Sequence, residues 1–156
     1  MVWIQESNCK GVWDSKESFN YLVDTIIPLR LAIIPESGYP IVVSLWFIPF
    51  ENAIWCASSR NAKIIPILEN NNRCGFEVAP DKPPYLGLRG QADVSLDHNR
   101  GTEILVMLID RYLKERNAKL ASWLISRSAD EVGIRLAPIR CHSWNFSSRM
   151  SAEDKS

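Results

Sequence analysis

Residues 40–63 read PIVVSLWFIPFENAIWCASSRNAK, and the reading of this stretch decides the fold. Two apolar runs, Ile41–Ile48 and Ala53–Ala57, have the length of strands. Pro49-Phe50-Glu51-Asn52 turns the chain back between them. In the first run, two-residue alternation puts Ser44 and Trp46 on one face and Val43, Leu45 and Phe47 on the other. After the second run, Ser58-Ser59 lead into residues 60–70, which read as a short helix despite Pro66. Arg60 and Lys63 then fall in its first turn, where the helix dipole disfavours each cation by about 0.3–1 kcal/mol. Two readings account for them. One is an ordinary helix cap carrying solvated charges. The other is a bound phosphate, met by backbone N–H groups, serine hydroxyls and two cations spaced i, i+3. Neither a P-loop nor a G-x-G-x-x-G run is present, so such a phosphate does not belong to a Rossmann-bound dinucleotide.

Outward from this stretch, Asp14 with Glu17 forms a capping box for a helix over 15–26, with Phe19, Leu22, Val23, Ile26 and Ile27 as its buried stripe. Strands are expected over 29–34, 74–79, 85–96 and 132–143, with bends or bulges at Gly87 and Gly90. Helices fit 102–115 and 118–127, the first with a possible Arg111–Glu115 ion pair. Short turns between the early strands suggest an antiparallel meander. Clustered strands with peripheral helices argue for a mainly β, α+β domain: a six-stranded antiparallel split β-barrel with flanking helices, spanning 1–156 as a single unit. The polar ending SAEDKS is expected to be loose.

The totals exclude several functions. Eighteen basic residues balance eighteen acidic ones, so charge gives no case for nucleic acid or an anionic membrane. The apolar runs are too short to span a bilayer, and the start MVWIQESNCK lacks the order of a secretion signal. The expected compartment is the cytoplasm. Cys9, Cys56, Cys74 and Cys141 form no C-x-x-C pair and are expected as reduced thiols. Cys141 and His142 are adjacent, but strand neighbours point to opposite faces, so no metal site is expected. His142 reads as a structural or exposed strand histidine, or as a general acid beside a cofactor.

The serial order PIVVSLWF, IWCASSRNAK, NNNRCGFEV and PPYLGLRGQADV resembles the pyridoxamine 5'-phosphate oxidase-like, FMN-binding split-barrel family, over about residues 15–146. The resemblance implies a homodimer with FMN at the interface. It implies that Val43, Ser44 and Leu45 meet the flavin ring edge, largely through backbone atoms. Cys56, Ala57 and Ser58 would line the ribityl path, and Ser59, Arg60 and Lys63 would hold the phosphate. Gly90 matches the family's strand glycine, and Arg89 would reach flavin or substrate. The ending Ser143-Trp144-Asn145-Phe146 is similar to that of short family members, in which a tryptophan approaches the partner's flavin. The chain departs from the pyridoxamine phosphate oxidases proper: R-C-H-S-W-N-F stands where those carry an R-L-H-D-R-type segment, and Asn145 replaces an aspartate. Some relatives use a deazaflavin and others haem; FMN fits best. The expected function is an FMN-binding protein acting as a flavin-dependent oxidoreductase, with NAD(P)H as a possible donor and the catalytic residues and substrate undefined. The alternatives are a non-catalytic flavin carrier or sensor, and a cofactor-free structural dimer.

Overall fold

The computed structural model describes residues 3–150, so the expectation for the polar ending lies outside the described residues. The expected capping box is present: Glu17 donates its amide to Asp14 at 2.8 Å, and Asp14 donates its amide to Glu17 at 2.9 Å. It starts α1 (Ser15–Asp24), whose stripe is narrower than expected. Leu22 is fully buried, whereas Val23 and Ile26 are exposed. Arg111 closes the far end, donating to the carbonyls of Leu22, Val23 and Thr25 at 2.8–3.1 Å. These are carbonyls that a helix end leaves unpartnered. With its guanidinium so used, Arg111 forms no ion pair with Glu115 among the described residues.

Eight strands form one sheet: β1 (Cys9–Gly11), β2 (Leu29–Ile33), β3 (Ile41–Leu45), β4 (Ile48–Phe50), β5 (Ala53–Ser59), β6 (Arg73–Val78), β7 (Leu86–Asp97) and β8 (Glu131–Asn145). Their order is β3-β2-β6-β7-β8-β5-β4, with β1 parallel beside β8. The path's two ends, β3 and β4, are separated in sequence only by Trp46-Phe47. The sheet therefore curls until the chain itself joins its ends, which gives a half-barrel.

The count exceeds the expected six for two reasons. The run expected as one strand over 41–48 breaks at Trp46-Phe47 into β3 and β4, and β1 is too short to show a pattern. The expected meander also gives way. Hairpins β2–β3 and β4–β5 form, but β5 then pairs with β8 from the other end of the chain. Glu51 and Asn52, both at positive φ (49° and 56°), make the two-residue turn of the β4–β5 hairpin.

The break at Trp46-Phe47 sends one ring to each side. Phe47 is fully buried inside the curl with Leu31, Ile54, Leu88 and Leu136. Trp46 stacks on Tyr112 at 5.0 Å in a second core, where α3 (Gly101–Leu113) covers β5 through Ile104 and Leu108. α4 (Ala118–Ser126) follows α3 near its expected place. The β7–β8 register runs regularly through Gly87 and Gly90, so the bulge expected there falls instead between Gln91 and Ala92, with Ile139 as the extra residue. Among the described residues no helix is long and apolar enough to cross a membrane.

Candidate cofactor site

Two strand edges part at Trp46-Phe47. β3 has β2 as its one partner, so its outer edge is unpaired. β4 pairs with β5 only over Ala53–Trp55; from Cys56 to Ser59, β8 is the one partner of β5. Backbone donors and acceptors on both edges are thus free to meet a ligand. Val43 and Leu45 turn their side chains to the core, leaving their backbone on this edge, while Ser44 points outward and is exposed.

Cys56 packs as a small hydrophobe. Its side chain is fully buried in the core, and burial raises its thiol pKa strongly. Only its backbone can line a ligand path. Ala57 packs toward α3, and Ser58 and Ser59 are half-buried at the end of β5.

The helix reading of residues 60–70 is corrected. α2 runs from Ile64 to Asn70, so Arg60 lies before it and Lys63 is its N-cap residue. The start position puts Pro66 within the first turn, where a missing N–H costs nothing. Arg60 therefore escapes the dipole penalty, whereas Lys63, as the N-cap residue, still stands at the positive end of the helix. Three of the amides leading into the helix are already taken. Arg60 donates its amide to the Asp130 carbonyl at 2.7 Å, Asn61 to Ser59 Oγ at 3.3 Å, and Ala62 to the Ser59 carbonyl at 2.9 Å. What this corner offers is the Ser59 hydroxyl and two exposed cations, because Ser58 faces the other side of the sheet. The Asp130 carboxylate competes, 4.0 Å from Arg60 Nε, and Glu131 pairs across from Ser59. That donor set fits a phosphate dianion.

The remaining candidates sit on the sheet's outer face. Residues paired across strands point to the same side. One row runs Ser44, Arg30, Glu77, Arg89, His142, Lys10 across six strands. It brings Ser44 and Arg89 onto one face, about 14 Å apart at the usual strand spacing. Arg30 donates to Ser44 Oγ through Nη1. Trp144 lies against Gly87, and the Arg89 guanidinium sits 5.4 Å from its ring centroid. The neighbouring row is small at its centre: Val42, Ala32, Gly75, Gln91, Arg140. Both rows line a cleft of about 780 Å³. Of the residues singled out in the sequence, this cleft includes Arg89 and His142 but neither Arg60 nor Lys63.

Sequence reading missed Arg30, Lys10, Gly75 and Arg140. A signal existed for Arg30, an outward cation in the otherwise apolar strand LRLAI. For the rest the signal is register between distant strands, which no local pattern carries. Cys141 and His142 do face opposite ways, one buried and one exposed, and no group of three or more metal-ligating side chains occurs among the described residues.

A sheet that curls closed at one end and parts at the other is a split barrel. The solved structures that share it are split-barrel proteins like pyridoxamine 5'-phosphate oxidase, the fold that the sequence resemblance implied. One is a conserved hypothetical protein from Mycobacterium tuberculosis, at 16% identity over 87% of both chains with a TM-score of 0.72. Another is an F420 reductase, at 21% identity over 80% of this chain and 96% of the other, with a TM-score of 0.64. A third is the haem storage protein HutZ from Vibrio cholerae, at 19% identity over 80% and 87%, with a TM-score of 0.58. No protein-family model matches the chain, and no curated protein does.

Proposed function

We propose that the chain is an FMN-binding split-barrel protein and works as a flavin-dependent oxidoreductase. The observation that carries this reading is the pair of unpaired strand edges, β3 and Cys56–Ser59, with the Ser59 hydroxyl and two cations at the end of one of them. Backbone groups of Val43, Ser44 and Leu45 would hold the ring edge, and Ala57 and Ser58 would flank the ribityl chain. Ser59, Arg60 and Lys63 would bind the phosphate. A bound flavin supplies the hydride chemistry; the protein supplies position and electrostatics. Cys56 takes no part as a thiol, since it is buried and protonated. Arg89 and Trp144 stand on the outer face, where they would meet substrate or a second protomer's ligand.

We further propose a homodimer. Ile41 and Val42 on β3 and Tyr39 just before it, with Tyr85 preceding β7 and Phe146 following β8, are exposed large apolar residues that a second copy would cover. Four free, buried thiols support a reducing compartment such as the cytoplasm, and NAD(P)H is the electron donor to try first.

The test begins with the absorption spectrum of the purified protein and a titration with FMN. The reading expects flavin bound or taken up, and Arg60→Ala with Lys63→Ala weakens it by ~100-fold or more, since each charge-assisted contact is worth ~10-fold or more. No bound flavin and no uptake would remove it. Reduction of the flavin by NADH or NADPH, followed by turnover, separates an enzyme from a flavin carrier. Haem or deazaflavin in place of FMN shows in the same spectrum.

A further inference from the structure

We propose that Tyr112 is a positioning residue for the flavin ring: its hydroxyl is inserted where the β2–β3 ladder would otherwise continue, and it fixes the backbone of Val43–Leu45 that the ring edge would meet. The proposal rests on the flavin reading and adds to it the residue that holds the split in place.

β2 and β3 run antiparallel and pair from Ile33–Ile41 to Leu29–Leu45. Each step back along β2 is one step forward along β3, so continued pairing would set Ile27 opposite Phe47. The two residues do not pair. Phe47 donates its amide to Tyr112 Oη at 3.2 Å, and the same hydroxyl donates to the Ile27 carbonyl at 2.8 Å. A phenol from α3 thus stands between a strand N–H and a strand C=O, and satisfies both. Burial raises the pKa of this hydroxyl, so it keeps the proton that the bond to Ile27 needs.

The insertion decides where β3 ends. Residues 41–48 have the pattern of one unbroken strand, yet β3 stops at Leu45 and β4 starts at Ile48 against β5. What interrupts the run lies 65 residues away in the chain. Neighbouring contacts hold the same point. Trp46 stacks on the Tyr112 ring, with centroids 5.0 Å apart and planes 6° apart. The Arg111 guanidinium, anchored on three carbonyls at the end of α1, lies 5.1 Å from the Phe47 ring. These contacts converge on the two residues that separate β3 from β4, directly after Leu45. Without the hydroxyl, Ile27 and Phe47 would close on each other or take up water. Either change shifts the end of β3 relative to Cys56–Ser59, the other edge of the proposed site. A displaced binding edge costs affinity and alignment of the ring.

Tyr112→Phe keeps the ring on Trp46 and removes only the hydroxyl. In the full chain it is expected to weaken FMN by ~10-fold. The visible circular dichroism and the reduction potential of the bound flavin, which report the surroundings of the ring, are expected to change with it. Ile104→Val, at a fully buried site on the same helix and in the same core, is the control for lost packing. It is expected to lower the urea midpoint and to leave FMN affinity and both flavin signals unchanged. Wild-type affinity and signals in Tyr112→Phe, or the same changes in Ile104→Val, overturn the proposal. If Tyr112→Phe does not fold, amide exchange in the wild-type chain decides. The Phe47 amide is expected to be protected before FMN is added, and protection that arises only with FMN overturns the proposal. A wild-type chain that binds no FMN removes the flavin reading and this proposal together; FMN binding that ignores the hydroxyl removes this proposal alone.

Discussion

Cys9 and Cys141 face each other across the parallel β1–β8 pairing with their sulfur atoms 3.0 Å apart. Both are buried, and Ser18 Oγ lies 3.4 Å from the Cys9 sulfur. A disulfide needs an S–S bond of about 2.0 Å and Cα atoms about 4.4–6.8 Å apart. Neighbouring strands lie about 4.8 Å apart, so the bond can form without moving the backbone. Treatment with diamide is therefore expected to join them. Free thiols counted in denaturant fall from four to two, and the urea midpoint rises and returns with dithiothreitol. The ring closed spans 132 residues, for which chain entropy sets a ceiling of roughly 4–5 kcal/mol. Four thiols after oxidation would contradict the geometry.

The same burial makes the fold sensitive to alkali. Burial pushes the Cys141 and Cys74 thiols and the Tyr21 hydroxyl each up to about 12. Unfolded, the thiols ionise near 9.0 and the tyrosine near 10.0. A raised pKa means that the folded state holds its proton longer. Stability is then fully present below about pH 9 and is lost as pH rises toward about 12. Urea midpoints measured from about pH 8 to about pH 11 should fall steadily; a flat profile would show that these groups are solvated.

Which parts of this were legible in the sequence follows from the range of the forces involved. Asp14 and Glu17 act across three residues, so their capping box could be read directly, as could the strand alternation through Val43, Leu45 and Phe47. The β5–β8 pairing could not. Ala57 meets Gly133 across the sheet, and nothing local in either segment names the other. Pro66 reads along the sequence as a defect inside a helix, whereas in the fold it sits in the first turn, where a missing N–H is tolerated. That displacement moved Arg60 off the helix and left Lys63 at its N-cap, so the dipole argument survives for Lys63 alone, while both cations stayed close to Ser59 in the chain. The outer-face row is the part least visible in one dimension, since Ser44, Glu77 and His142 meet only through register.

Asp130 competes with any phosphate for Arg60. Its carboxylate is 4.0 Å from Arg60 Nε with both side chains largely exposed, so the pair itself adds little to stability. The Arg60 amide bonds the Asp130 carbonyl, and Asp130→Asn preserves that contact. On the flavin reading, the substitution should tighten FMN by about 2–5-fold, the worth of an exposed ion pair. Fluorescence titration of FMN measures this; weaker binding in the variant would mean that Asp130 orients Arg60 instead of competing for it.

Phe47 holds the turning point of the barrel. It is fully buried, takes the Arg111 guanidinium at 5.1 Å on its ring, and donates its amide to Tyr112 Oη at 3.2 Å. Phe47→Ala is expected to cost about 3–5 kcal/mol, the usual cost of emptying a buried aromatic site. Denaturation by urea reads the loss. An effect below about 1 kcal/mol would show that the core collapses around the gap.

Gly75 and Gly90 lie on adjacent strands and should respond to the same substitution with opposite signs. A Cβ on Gly90 would stand 2.5 Å from Phe76 Cζ and 2.6 Å from the Arg140 carbonyl oxygen. The ring is buried and the carbonyl is backbone, so neither can yield cheaply. Gly90→Ala is expected to destabilise by about 1–3 kcal/mol through overpacking. At Gly75 the same methyl meets nothing closer than 3.7 Å. Gly75→Ala removes freedom from the unfolded chain without strain, so it should stabilise by about 0.5–1 kcal/mol. Paired thermal and urea unfolding of the two variants measures both. A stability gain at Gly75 would mean that glycine stands there at a cost to the fold, as a floor kept clear for a ligand requires. A loss there would mean that the bare backbone serves the sheet itself.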